Sequence, residues 1–345
     1  NSFKNNYLGH PLQHRLPSPN LFVMQNLHLS QELSHRIVKA ADELAATQKI
    51  NSPDSYNAIN HLLTDELEEL KELILLSPTA HATSIHGLPF PAVHGPTPAT
   101  WQECVGKVRT WRFVLAIIAS AVGRPFGWFG QQKGRITTDL VPTRGQENQQ
   151  VGASSNTTLT LHTEDAFHPR RATHFALFGL RNPKNVGTTL APIDEAWHLL
   201  DVDSKKILTG DGAIIIPDAS YGDYEYAAPT AMTSIWKTDG NLGMRFDPAY
   251  TDKNSGTLQW WEAFEKLQQA LHTVTYTVPI KPGQMVIINN DRCAHGRVPF
   301  VANYDGTDRW MLRINIMGTK NTRPINEINE PGYGQHIRFM DGEIL

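Results

Sequence analysis

Thr158-Leu159-Thr160-Leu161-His162-Thr163-Glu164-Asp165-Ala166-Phe167 is the stretch on which the fold turns. Strand periodicity sends Leu159, Leu161 and Thr163 to one face and Thr158, Thr160, His162 and Glu164 to the other. Two residues along a strand advance roughly 6.6 Å, so the His162 imidazole and the Glu164 carboxylate leave one face close enough to share an ion. His-x-Glu is the near half of a two-histidine-one-carboxylate set, which holds non-haem Fe(II) and leaves three coordination positions open. The pattern recurs by chance, so the reading requires a far half downstream.

Residues 285–297 supply it: an apolar strand from Met285 runs into a polar turn and delivers His295. Further on, alternation in 309–316 puts Arg309, Met311, Arg313 and Asn315 on one face and Trp310, Leu312, Ile314 and Ile316 on the other. An arginine on an inner strand face is costly unless an anion pairs with it, and a guanidinium fork grips a carboxylate with two parallel bonds. Arg309 could instead pair with Asp305 or Asp308. A dicarboxylic cosubstrate explains both inner-face arginines. Cys293, close to His295, reads as packing.

The chain has 345 residues, 40% hydrophobic and 19% charged, with a net charge of −3. That is the composition of a globular protein with a sizeable core. Without a basic block, nucleic acid and anionic membrane are poor partners. Cys104 and Cys293 form neither a CxxC nor a disulfide framework, which favours a reducing compartment. The first residues lack the layout of a signal peptide, and the longest apolar run, 113–122, is far short of the ~20 residues of a membrane span. A cytoplasmic protein is expected.

Residues 1–29 read as an extended arm. Helices are expected over 30–49, from Ser52-Pro53 through Ile74 to Ser77-Pro78, and over 100–123 behind a capping box at Thr100–Glu103. Between the last two, 79–99 reads as a connector whose His81, His86 and His94 are ordinary loop histidines. From Phe126 the texture turns to short strands: 135–140, 158–161, 174–180, 213–216, 273–278, 285–288 and 310–316, with one helix over 257–271. The expected class is α+β, a jelly roll with N-terminal helices packed outside. Its divisions are a helical preface (1–99), a catalytic core (100–320) with a lid at about 217–231, and a C-terminal extension (321–345).

Taken with the segments 126–135, 162–169, 180–183 with 188–190, 294–297 and 304–316, the chain resembles the clavaminate-synthase-like Fe(II)/2-oxoglutarate-dependent oxygenases. More narrowly it is similar to the free amino-acid hydroxylases acting on arginine, asparagine or lysine. The resemblance implies a double-stranded β-helix core. It implies Fe(II) on His162, Glu164 and His295, with O2 and 2-oxoglutarate as cosubstrates. Arg309 would grip the distal carboxylate of 2-oxoglutarate, with Thr189 assisting. Arg313 would meet the substrate α-carboxylate, and Gln131 with Glu164 would face the α-amino group. The reaction implied is hydroxylation of an unactivated C–H, coupled to decarboxylation of 2-oxoglutarate to succinate and CO2. A carboxylate at Glu164 argues against halogenation.

The arginine hydroxylases of that group carry two acids at a site matching Asp247 and Ala249. One acid is missing here, and a lone carboxylate suits a compact ammonium better than a planar guanidinium. L-lysine is therefore the preferred substrate, with arginine, citrulline and asparagine open; the alternative reading of Asp247 is a turn residue before Pro248. Asp223 and Glu225, in the stretch 218–229, read as solvated lid charges or as further amine contacts. Two rivals stand beside this reading. A zinc hydrolase has the ligand set but no HExxH helix and no use for the arginines. A non-catalytic amino-acid-binding jelly roll has no need of a complete ligand set.

Overall fold

A computed structural model describes residues 24–75, 80–91, 95–218, 221, 231–320, 322–328, 330 and 332–345. The expected arm up to residue 23, Ser77-Pro78, His94, Asp223, Glu225 and most of the expected lid lie outside the described residues.

In chain order the elements begin with β1 (Met24–His28), α1 (Gln31–Thr47), α2 (Pro53–Leu62), α3 (Thr64–Leu75), β2 (Ala82–His86), α4 (Arg109–Val122), β3 (Arg124–Trp128) and β4 (Thr137–Leu140). Next come β5 (Leu159–His162), β6 (His174–Arg181), β7 (Gly187–Pro192), α5 (Ile193–His198), α6 (Val202–Leu208), β8 (Ile235–Thr238) and β9 (Asn241–Met244). The chain continues with α7 (Leu258–Thr273), β10 (Tyr276–Pro279), β11 (Met285–Asn289), β12 (Cys293–Arg297), β13 (Trp310–Met317), α8 (Ile325–Ile328) and β14 (Ile337–Phe339).

Two sheets carry the molecule. The larger runs β1-β2-β11-β6-β13-β3-β14, with β4 also on β13, and the smaller runs β10-β7-β12-β5. Burial follows strand parity on both. Ala176, Phe178, Ile287, Leu312 and Ile314 of the larger sheet pack outward on α1–α4. Phe175, Leu177, Val286, Ile288 and Met311 face inward and meet Leu190 and Cys293 of the smaller sheet. Leu161, Ala191 and Ala294 turn the other way, onto α5 and α7. The order is therefore helices, sheet, sheet, helices, with β5, β12 and β13 presenting side chains to the space between the sheets. Among the described residues no helix is long and apolar enough to cross a membrane.

Several expectations need correcting. The helix after Ser52-Pro53 bends at Leu63 into α2 and α3, which keeps Ile59, Leu63, Leu67, Leu70 and Ile74 all in one core. Thr100–Glu103 opens only a 3-10 turn, Trp101–Cys104, and the Thr100 side chain caps nothing. Gly106 at φ 80° and Val108 at φ 49° break the backbone there, so α4 starts at Arg109. The connector 79–99 hides β2, which lies between β1 and β11 and is covered on both faces, so it shows no alternation. His81 is no loop histidine: it is buried, with Nε2 2.6 Å from Asp194 Oδ2. Residues 213–216 make a single bridge, Ile215 to Thr251, instead of a strand, and α7 runs on through Thr273 to leave only Tyr276–Pro279 extended.

Candidate metal centre and substrate cavity

Register brings the two histidines together: His295 of β12 is the direct partner of His162 at the end of β5. Their rings lie 4.2 Å apart, and the His295 ring leans on Phe175 at 4.4 Å. Gly296 makes this approach feasible, since a Cβ there would sit 2.4 Å from the Leu159 carbonyl oxygen.

Glu164 lies two residues beyond the strand, in a turn that strand periodicity does not describe. Asp165 takes φ 55° there, and the Asn290 side chain clamps the turn, accepting from Glu164 N at 2.6 Å and donating to its carbonyl at 2.9 Å. Phe246 holds it from the other side, its carbonyl accepting from Thr163 N at 2.7 Å. Glu164 Oε2 is thereby set 3.3 Å from His295 Nε2 and 3.9 Å from His162 Nε2.

These donors fit a divalent ion. One ligand atom from each residue lies within 4.8 Å of the others. Ligands ~2.1 Å from one metal and at right angles would stand about 3 Å apart, so a small inward adjustment closes the set. The Thr160 carbonyl lies 2.8 Å from His162 Nδ1, which fixes the tautomer that leaves Nε2 free for metal. Glu164 Oε1 is taken by Arg313 Nη1, so only Oε2 faces the imidazoles. Burial pushes the Glu164 carboxyl up, but Arg313 and the two imidazoles overcome it and hold the group well below the carboxylate range. Burial and its neighbour His295 lower His162, so both residues are in the protonation state a metal requires.

Beside the triad opens a cavity of about 520 Å³, lined among others by Gln131, Leu177, Thr188, Arg297, Arg309 and Arg313. Arg309 is buried, its Nε bonds to nothing, and no described carboxylate answers it. Burial and the nearby Arg297 guanidinium press it down to about 9. Arg297 spends its bonds on the Ser154, Thr157 and Val298 carbonyls and the Ser154 hydroxyl. Neither Asp305 nor Asp308 pairs with Arg309: Asp308 accepts from the Asn303 and Tyr304 amides, and Asp305 from Thr307.

Thr189 is displaced from the expected role. Leu190 stands opposite His295 and faces inward, so Thr188 shares its side, lines the cavity and has a buried hydroxyl without a partner. Thr189 points the other way, its Oγ1 2.8 Å from where a Cβ on Gly296 would be.

Gln131 follows β3 in a turn tied down by Gln132, whose amide accepts from Asp139 N at 3.0 Å and donates to its carbonyl at 2.8 Å. Gln131 Oε1 accepts from Arg313 Nη2 at 2.8 Å. Asp247 lines a side recess with His162, Asp218 and Tyr250. Its Oδ1 accepts from the Ala249 and Tyr250 amides, so it does make the turn, while burial pushes the carboxyl up to about 6. Asp165, Tyr221, Asn290, Thr188 and Asp218 also belong to the site. Asp165 and Asn290 stand beside recognised motif residues, but only tertiary contact reveals their work.

Two histidines and one carboxylate on facing strands, with an unanswered buried guanidinium in the adjoining cavity, define the class of iron oxygenases that use an oxoacid cosubstrate. The chain belongs to the taurine catabolism dioxygenase TauD, TfdA family, whose model matches residues 115–315. Enduracididine beta-hydroxylase of Streptomyces hygroscopicus is 31% identical over 324 residues, covering 85% of this chain and 94% of that protein. L-ornithine/L-arginine 3-hydroxylase of Catenulispora acidiphila is 31% identical over 258 residues, covering 66% and 73%. The structure of the non-heme iron oxygenase OrfP in complex with Fe and alpha-ketoglutaric acid superposes with a TM-score of 0.74 at 29% identity, covering 85% of this chain and 94% of that one. The protein is an Fe(II)/2-oxoglutarate-dependent dioxygenase, which removes the zinc hydrolase and the non-catalytic module as readings.

Proposed function

We propose that the enzyme hydroxylates an unactivated C–H of a free L-α-amino acid with a cationic side chain, L-lysine first among them. The observation that carries this is Asp247, a carboxylate in the recess beside His162 that keeps one oxygen outside its turn, while Arg309, a buried cation with no acid among the described residues, carries the oxoacid cosubstrate. Bound there, Fe(II) with 2-oxoglutarate and O2 supplies the oxidant, and 2-oxoglutarate leaves as succinate and CO2.

In this reading His162, Glu164 and His295 hold the metal, Arg309 takes the distal carboxylate of 2-oxoglutarate as a bidentate fork, and the Thr188 hydroxyl adds a donor. Arg313 leaves its contact with Gln131 to meet the substrate α-carboxylate, while Glu164 and Gln131 Oε1 accept from the α-ammonium. The free oxygen of Asp247 faces the side-chain cation. The strands of 100–320 form a double-stranded β-helix core, which β1 and β2 of the preface and β14 of the C-terminal segment extend within the larger sheet.

One carboxylate oxygen suits an ammonium. A guanidinium substrate is the second reading, favoured by Asp218 in the same recess and by relatives named for enduracididine and arginine. The test is succinate formation with Fe(II), 2-oxoglutarate and a panel of the twenty amino acids plus ornithine and citrulline, with products identified by mass spectrometry. Stimulation by lysine or ornithine above arginine supports the first order, and the reverse supports the second. Stimulation only by uncharged amino acids overturns the cationic reading.

A further inference from the structure

Tyr221 and Asp165 touch neither the metal ligand atoms nor the carboxylate-binding arginines' open faces, yet they form a buried polar chain that ends on Gln131. Asp165 Oδ2 accepts from Trp128 Nε1 at 2.6 Å and from Asn315 Nδ2 at 3.5 Å, and both of those groups can only donate. Asp165 Oδ1 takes the Tyr221 hydroxyl. Trp128, Tyr221 and Asp165 are all buried.

The logic runs outward from the carboxylate. With its O–H donated to Asp165 Oδ1, the Tyr221 oxygen can only accept from its other neighbours, and Gln131 Nε2 donates to it at 3.2 Å. That sets the same amide flip as Arg313, which donates to Oε1, and holds it once Arg313 turns to the substrate. The carbonyl end of Gln131 is turned to Arg313 and the cavity, beside Glu164. We propose that Asp165 and Tyr221 are positioning residues that orient the Gln131 carboxamide, so that the cavity presents an acceptor to the substrate α-nitrogen and selects an amino acid over the corresponding 2-hydroxy acid. The inference rests on the amino-acid reading above and deepens it.

The chemistry gives an asymmetric test. An ammonium only donates, whereas a hydroxyl donates or accepts, so reversing Gln131 penalises the amino acid alone. In Asp165→Asn the remaining oxygen keeps the Trp128 bond, and the new amide donates to Tyr221, turns its O–H toward Gln131 and reverses the carboxamide. In Tyr221→Phe the amide loses the anchor that remains once Arg313 has turned to the substrate, and is then free to take either flip. The measurements are kcat and KM for the best amino acid of the panel and for its 2-hydroxy analogue, KM for 2-oxoglutarate, and anaerobic calorimetric binding of both ligands to the Fe(II)- and 2-oxoglutarate-loaded full chain.

The expected result is a fall of about tenfold in the amino-to-hydroxy preference for Asp165→Asn. It should come through KM and the calorimetric Kd, with KM for 2-oxoglutarate within about twofold of wild type. Tyr221→Phe should fall in between. Unchanged preference in folded variants, or equal loss for both ligands, overturns the proposal. If Asp165→Asn does not fold, Tyr221→Phe decides. If wild type itself binds no free amino acid, the functional reading falls and this one with it. If wild type discriminates and the variants discriminate equally, only this one falls.

Discussion

Arg309 is the residue whose energetics are most exposed to test. A buried guanidinium without a counter-ion costs stability until an anion arrives, so Arg309→Met should raise the stability of the protein without cosubstrate by about 1–4 kcal/mol. The same variant should lose the thermal upshift that 2-oxoglutarate gives wild type; an upshift that survives in both would remove Arg309 from the cosubstrate site. At Asp247 the sign follows from its titration. Its carboxyl is pushed up to about 6, so the anion is present above that pH and lost as pH falls through it. The Kd of a side-chain ammonium should therefore weaken by up to about tenfold per pH unit below 6, and Asp247→Asn should flatten that profile while leaving 2-oxoglutarate affinity alone. A parallel loss of both affinities would mean that the turn is its only role. That His162, His295, Arg309 and Arg313 line one cavity was legible because strand parity and charge placement are local signals, whereas Glu164 joins them through a turn that parity does not describe. Thr188, not the expected Thr189, faces the cavity because the parity of that strand is set by pairing Leu190 with His295, which no neighbour in sequence announces.

At the scale of elements, the metal centre depends on how closely β12 approaches β5. Gly296 is the enabling position, with the Leu159 carbonyl 2.4 Å and the Thr189 hydroxyl 2.8 Å from a Cβ built there. Gly296→Ala should cost about 1–3 kcal/mol and, by parting the two strands, weaken Fe(II) binding as well; calorimetric titration of Fe(II) under anaerobic conditions reads it. Wild-type affinity in the variant would show that the strands tolerate the separation. Strong patterns such as α1, α7, β6 and β13 were legible from periodicity. The strand β2 was not, because a short segment covered on both faces and rich in Ser, Thr and His carries no alternation. The failed capping box teaches the same point: Thr100–Glu103 has the right letters, but Gly106 and Val108 at positive φ end the turn before a helix can grow.

Across the whole molecule, a second buried polar cluster ties 322–345 to the sheets. Arg323 forks onto Asp291 at 2.9 Å, Arg171 pairs with Glu327, and His168 sits among them. Burial, then the guanidiniums of Arg245, Arg170, Arg171 and Arg323, press His168 down to about 3. A depressed folded pKa means that the contribution is intact above the unfolded value of ~6.5 and is lost as pH falls toward the folded one. Between pH 7 and pH 5 this site alone should remove about 2 kcal/mol, and His168→Asn should lose correspondingly less over that interval in denaturant titrations. An identical pH slope in the variant would assign acid lability elsewhere. The unanswered positive charge in the cavity also reaches the bench. Sulfate, phosphate and citrate are small, multiply charged and suited to a guanidinium fork, so storage in such salts would load the enzyme with a competitor before any assay begins. Apparent cosubstrate affinity should then depend on the buffer anion more than on ionic strength, and a zwitterionic buffer with monovalent salt is the medium in which the protein shows its own preferences.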